Sequence, residues 1–272
     1  MPEPLTEYRV KARNSSASSE NKIHDDETAR RYGFPGALVP GVVLYGYMTS
    51  PLVTTLGAGW LERGTVTVRF LKPVLDGDEF QVTGDIMTKN AAGTTASLRG
   101  ATAATAECST ATATLPAGLP TPVNMALYRA APLPADRPLV SREVMQSFEV
   151  LGTPEVTYDE QIAAAFLDRV SDTSPLYRGS AGYVHPAYYL DQGNRAFDRN
   201  VRLGPWIHVS STVRHLAPAR MGARLETRGR VRSLFEKKGR EFAELDLAIL
   251  ANGRPVAHVL HTAIYKLPPP RE

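Results

Sequence analysis

Apolar positions along the chain fall into two patterns. From Phe34 to Leu61 there is no charged residue, as in a helix buried on every side. The run is long enough to cross a bilayer. Pro35, Pro40 and Pro51 and several glycines interrupt it, so it predicts a buried central helix from Val42 to about Leu56, with turns at both ends. A second, weakly charged helix is predicted from Ala187 to about Arg199. The other pattern is strand-like. "TVTVRFL", "EFQVTGDIMT", "TASLRGATAATAECSTATATL", "WIHVSSTVRHL", "RLETRGRVRSL", "EFAELDLAIL" and "VAHVLHTAIYKL" are rich in β-branched residues. Gly77-Asp78 and Asn252-Gly253 are read as hairpin turns. Many strands curling around one apolar helix, twice over, give an α+β plan.

The two helix-and-strand sets are related. "TVRFLKPVLDGDEFQVTG" (Thr67 to Gly84) aligns without a gap on "TVRHLAPARMGARLETRG" (Thr212 to Gly229), a constant offset of 145. Thr67, Val68, Arg69, Leu71, Pro73, Gly77 and Gly84 recur as Thr212, Val213, Arg214, Leu216, Pro218, Gly222 and Gly229. Similarity of this length argues for two copies of one supersecondary unit. Between them, Pro116 to Pro138 holds six prolines and little periodicity, the composition of a linker. The expected organisation is an N-terminal unit over 1–116, a linker over 117–138 and a C-terminal unit over 139–272.

Composition narrows the function classes. A net charge of +3 on 272 residues, with no basic tract interleaved with aromatics, argues against nucleic acid. The single cysteine, Cys108, rules out an internal disulfide and suits a reducing compartment. The first twenty residues are polar and carry no signal-peptide pattern, so a cytoplasmic protein with no membrane partner is expected. No metal site is expected. His258 and His261 differ in strand parity, as do His208 and His215, and there is no HExxH or cysteine cluster.

A long buried helix wrapped by antiparallel strands, followed by "VRFLKPVLDGDEF", resembles the hotdog fold. The stretch "NKIHDD…GFPG…VPGVVLYG" resembles the MaoC-like, (R)-specific enoyl-CoA hydratase signature, which places an aspartate five residues before a histidine and a V-H-G element at the start of the central helix. Two copies in one chain resemble a double hotdog. The resemblance implies addition of water to a trans-2-enoyl thioester, or the reverse dehydration. That chemistry needs a base for water and an acid for the α-carbon, with a helix N-terminal N–H facing the thioester oxygen. No cofactor is implied beyond the acyl-CoA or acyl-carrier-protein thioester itself, and association into a homodimer is compatible with the family.

Carried onto this chain, the histidine is His24 and the orienting asparagine is Asn21. The aspartate position falls on Ser19, so the carboxylate is sought at Glu20, Asp25 or Asp26; the two aspartates also read as helix caps for "DETARRYG". The oxyanion donor is Gly41, and the acyl chain is expected along Val43, Tyr45, Tyr47 and Met48. In the second copy, "DTSPLY" and "VHP" bring Asp172, Tyr177 and His185 together as another cluster, catalytic or merely structural. Arg224, Arg228, Arg230 and Arg232 share a strand face, either solvated or directed at coenzyme A phosphates or an acidic carrier protein. The alternatives are an acyl-CoA thioesterase, a diverged enzyme of another biosynthetic addition or cyclisation, and a non-catalytic acyl-ligand-binding protein.

Overall fold

The computed structural model describes residues 3–17 and 19–269. In the first half, β1 (Glu3–Pro4) and β2 (Tyr8–Lys11) precede a 3-10 turn (Lys22–His24) and α1 (Asp26–Arg31). Then come α2 (Gly41–Leu56), α3 (Ala58–Arg63), β3 (Thr65–Phe70), β4 (Glu79–Asn90), β5 (Gly93–Thr102) and β6 (Ser109–Pro116). The crossover carries α4 (Arg142–Ser147) and β7 (Glu155–Thr157). The second half follows with α5 (Glu160–Arg169), α6 (Pro186–Asp198), β8 (Ile207–His215), β9 (Arg224–Lys237), β10 (Arg240–Ala251) and β11 (Arg254–Lys266).

The repeat seen in the sequence is a structural repeat. Its offset of 145 carries the start of α2 at Gly41 onto the start of α6 at Pro186, and the start of β4 at Glu79 onto that of β9 at Arg224. Two isolated bridges, Leu38 with Leu75 and Tyr183 with Arg220, also match. The recurring Gly77 and Gly222 adopt φ of 86° and 80°, left-handed turns that a Cβ would strain.

The twin sheets fuse. β3 pairs antiparallel with β8, giving one 11-stranded sheet in which β4-β5-β6-β3 meets β8-β11-β10-β9. Thr67 and Thr212, equivalent residues of the two copies, face each other at this seam with their hydroxyls 2.9 Å apart. The pseudo-twofold axis therefore passes through that pair. α2 and α6 pack against each other and against the sheet, so α2 is covered on opposite sides. Ten of its sixteen residues are buried, which explains its lack of charge.

Of three expectations about strands, two change and one holds. Gly77-Asp78 is a turn leading into β4, not a hairpin, because β3 pairs with β6 and β8. Asn252-Gly253 is the hairpin turn between β10 and β11, with φ of 50° and 79°. The long Thr- and Ala-rich stretch divides into β5 and β6, with buried Cys108 just before β6. Among the described residues, no helix is long and apolar enough to cross a membrane.

Candidate active site

The 3-10 turn that carries His24 is built by Asn21. The Asn21 side chain caps the turn by accepting from the Ile23 N–H at 3.3 Å. It also bridges to the other half: its Nδ2 donates to the Trp206 carbonyl at 3.0 Å and its Oδ1 accepts from the Trp206 N–H at 3.1 Å. His24 Nδ1 lies 2.7 Å from the Leu38 carbonyl oxygen. A carbonyl only accepts, so Nδ1 carries the hydrogen and Nε2 presents a lone pair. Asn21 Nδ2 lies 3.4 Å from that Nε2. Burial, the largest influence, holds the His24 pKa below the ordinary imidazole value; the Leu38 carbonyl opposes this and the Arg169 charge reinforces it. The ring is thus a neutral, oriented proton acceptor at neutral pH.

His24 stands where two depressions meet. A polar groove of about 510 Å³ is lined by residues including Ser19, Arg137, Arg169 and Asp198, and an apolar cavity of about 160 Å³ by residues including Leu44, Phe70 and His208. Asn21, His24, Pro40, Asn194 and Trp206 line both. The site is therefore composite: the first half gives the histidine and the second gives Asn194, Trp206 and His208.

Gly41 is the first residue of α2 and lines the apolar cavity. No side chain caps this helix, and among the described residues neither the Gly41 nor the Val42 N–H has a partner. The positive end of the helix thus opens on the cavity. A Cβ at Gly41 would lie 2.8 Å from the Phe70 ring and 3.1 Å from His208 Nδ1, so only glycine fits.

Other expected site residues are engaged by protein partners. Glu20 lines the polar groove together with His24, but its carboxylate is bound by Arg137 at 3.0 Å and its side chain is 78% exposed. Asp25 caps α1 by accepting from the Thr28 N–H, and Asp26 accepts from the Ala37 N–H and pairs with Arg30. Val43, Tyr45, Tyr47 and Met48 are fully buried and line neither depression. The expected acyl track along α2 is filled by protein, because the sheet covers one flank of the helix and α6 the other; Leu44 is the α2 side chain past the first residue that reaches the cavity.

Asp172, Tyr177 and His185 do come together. His185 Nε2 lies 3.2 Å from Asp172 Oδ2, and the Tyr177 ring stands 4.5 Å from the imidazole. His185 Nδ1 accepts the Ala187 N–H, so this histidine caps α6, and it has no exposed surface. The cluster locks a helix start to its loop. The arginine face of β9 is likewise occupied: Arg224 pairs with Glu155, Arg228 with Glu226, Arg230 with Asp246 and Arg232 with Glu244.

Sequence reasoning missed two groups. Asp198 lines the groove, and burial pushes its carboxyl up to about 6. His208 lines the apolar cavity. Its Nε2 lies 2.8 Å from Ser211 Oγ, which lies 3.2 Å from His261 Nδ1, and the two imidazoles stack at 4.1 Å. Burial lowers both rings, His261 to about 3; for His208 the neighbouring His261 adds to the effect and the Ser210 carbonyl opposes it. Parity placed His208 away from the His215 face, but a register shift between Thr262 and Ala263 puts a bulge at Val209. His208, Ser211, Val213 and His215 all point inward.

Solved structures share this architecture over nearly the whole chain. A Chloroflexus aurantiacus protein described as a candidate MaoC-domain dehydratase superposes with a TM-score of 0.64 at 11% identity, covering 100% of this chain and 95% of its own. A Mycobacterium tuberculosis protein described as having a double hotdog fold gives 0.62 at 15% identity, with 96% of each chain covered. An acyl-ACP thioesterase from Bacteroides thetaiotaomicron gives 0.52 at 10% identity, over 95% of this chain and 97% of its own. The chain has a double-hotdog fold. No family profile matches the sequence, and no curated protein matches it.

Proposed function

We propose that the protein is an acyl-thioester enzyme that hydrates a trans-2-enoyl thioester or dehydrates the corresponding 3-hydroxyacyl thioester. One observation carries this reading: His24, its Nε2 lone pair fixed by the Nδ1–Leu38 bond, lines the same cavity as the uncapped N-terminal residue of α2, Gly41. The helix end would polarise the thioester carbonyl while His24 takes the proton from water or from the α-carbon. Asp198 is the protonatable carboxyl of the groove and the candidate for the opposite proton transfer. The substrate is carried on coenzyme A or on a carrier protein. Purified protein mixed with crotonyl-CoA should bleach the conjugated-enoyl absorbance. His24→Ala should abolish that signal without changing the unfolding midpoint; a variant of full activity would refute the assignment.

A second reading, thioester hydrolysis, is favoured by the absence of a carboxylate bonded to His24 among the described residues. A lone base and an oxyanion donor suffice for hydrolysis. Free thiol released from the same crotonyl-CoA, with the double bond intact, would select it.

A further inference from the structure

The His208–Ser211–His261 chain has unpartnered nitrogens at both ends, His208 Nδ1 and His261 Nε2. His208 is 7% exposed and lines the cavity that Gly41 and His24 share. The Ser211 hydroxyl has one hydrogen and lies between two ring nitrogens, so it donates to one and accepts from the other. If it donates to His261, then His208 is protonated at Nε2, and His261 is left with an N–H at Nε2, wholly buried with nothing to bond. If it donates to His208 Nε2, the hydrogen of that ring sits on Nδ1, beside the first residue of α2, and the deep end of the chain is a bare lone pair. Both His208 Nδ1 and His261 Nε2 are buried and unpartnered, so either arrangement leaves one N–H without a bond, and the choice falls to what surrounds the two ends. The helix end selects the second arrangement. His208 Nδ1 sits 3.1 Å from where a Gly41 Cβ would be, yet no α2 N–H bonds to it, although a lone pair in that corner would attract one. Two donors face one corner and await an oxygen.

We propose that the Nδ1–H of His208 is a second hydrogen-bond donor to the thioester carbonyl oxygen, beside the Gly41 N–H, and so a catalytic residue contributed by the second half. This rests on the acyl-thioester reading above. Ser211 and His261 are positioning residues that set the tautomer, and the neutral ring polarises the carbonyl without burying a charge.

Two measurements test this. In the ligand-free protein, ¹⁵N spectra of labelled histidine rings should show His208 as the Nδ1–H tautomer, and Ser211→Ala should relax it toward Nε2–H. A wild-type His208 protonated at Nε2 overturns the proposal whatever the substrate is. With crotonyl-CoA labelled at the carbonyl carbon, isotope-edited infrared spectra should show the bound carbonyl stretch moved to lower frequency. His208→Leu should retain binding, lose part of that shift and lower kcat about 100-fold. A bound ligand whose carbonyl shift is the same in His208→Leu overturns the role of His208 and leaves the thioester reading standing. Wild-type protein that does not bind crotonyl-CoA at all overturns both.

Discussion

Lowering the pH from 7 to 5 should cost this fold about 2 kcal/mol for each of two histidines buried in neutral form, His215 and His261. His215 has no exposed surface, sits between Trp60 and Tyr189, and has no hydrogen-bond partner at either ring nitrogen. Burial takes it from 6.5 to about 3, and takes His261 to about 3 as well. A group whose pKa is depressed in the folded state contributes stability above its unfolded value and loses it as pH falls toward the folded value. Below 6.5, each pH unit removes about 1.4 kcal/mol per ring. The step to pH 5 thus costs about 2 kcal/mol for His215 and about the same for His261. Asp198, raised to about 6, acts in the opposite sense and returns about 1 kcal/mol over the same step. The assay is urea denaturation at both pH values, on the parent and on His215→Leu. That variant removes two buried unpartnered nitrogens, so it should be at least as stable as the parent at pH 7. Its loss between pH 7 and 5 should be smaller by about 2 kcal/mol. An equal loss in variant and parent would refute the claim that this ring resists protonation.

Further outcomes concern the helix end and the crossover. Gly41→Ala forces a methyl against Phe70 and His208; a stability loss of about 1–3 kcal/mol in denaturant and a sharp fall in crotonyl-CoA turnover are expected. Tyr128, on the crossover, donates to Asp246 at 2.7 Å, a carboxylate also held by Arg230 and His258. Tyr128→Phe should cost about 1–3 kcal/mol and increase hydrogen exchange in the segment around it, with catalysis unchanged.

Much of the fold was legible because the repeat is written in turn residues. Pro73, Gly77 and their counterparts mark chain reversals that tolerate few substitutes, so the offset survived where core side chains drifted. The uncharged run correctly marked α2 as buried. It could not say whether protein or ligand covers the helix, since Tyr47 meets Phe80 from β4 and α2 packs on α6, both distant in the chain. His24, Asn21 and Gly41 were readable because they lie within one loop and the helix it feeds. Glu20 lies in the groove, but its pairing with Arg137, 117 residues away, is not readable from the local sequence. The His208–Ser211–His261 chain was invisible for two reasons: it joins paired strands 50 residues apart, and the bulge at Val209 breaks the alternation on which parity reasoning depends. The buried polar letters in "WIHVSS" and "VLHTA" were the signal, had the two strands been set side by side.

The most direct test of the composite site is a crystal structure with a crotonyl thioether or similar inert analogue of crotonyl-CoA. The account predicts its acyl group in the cavity between His24, Gly41 and His208, with the reacting carbons nearest His24 Nε2. A ligand held at the Asp172–His185 cluster instead, or one that leaves His24 untouched, would contradict it.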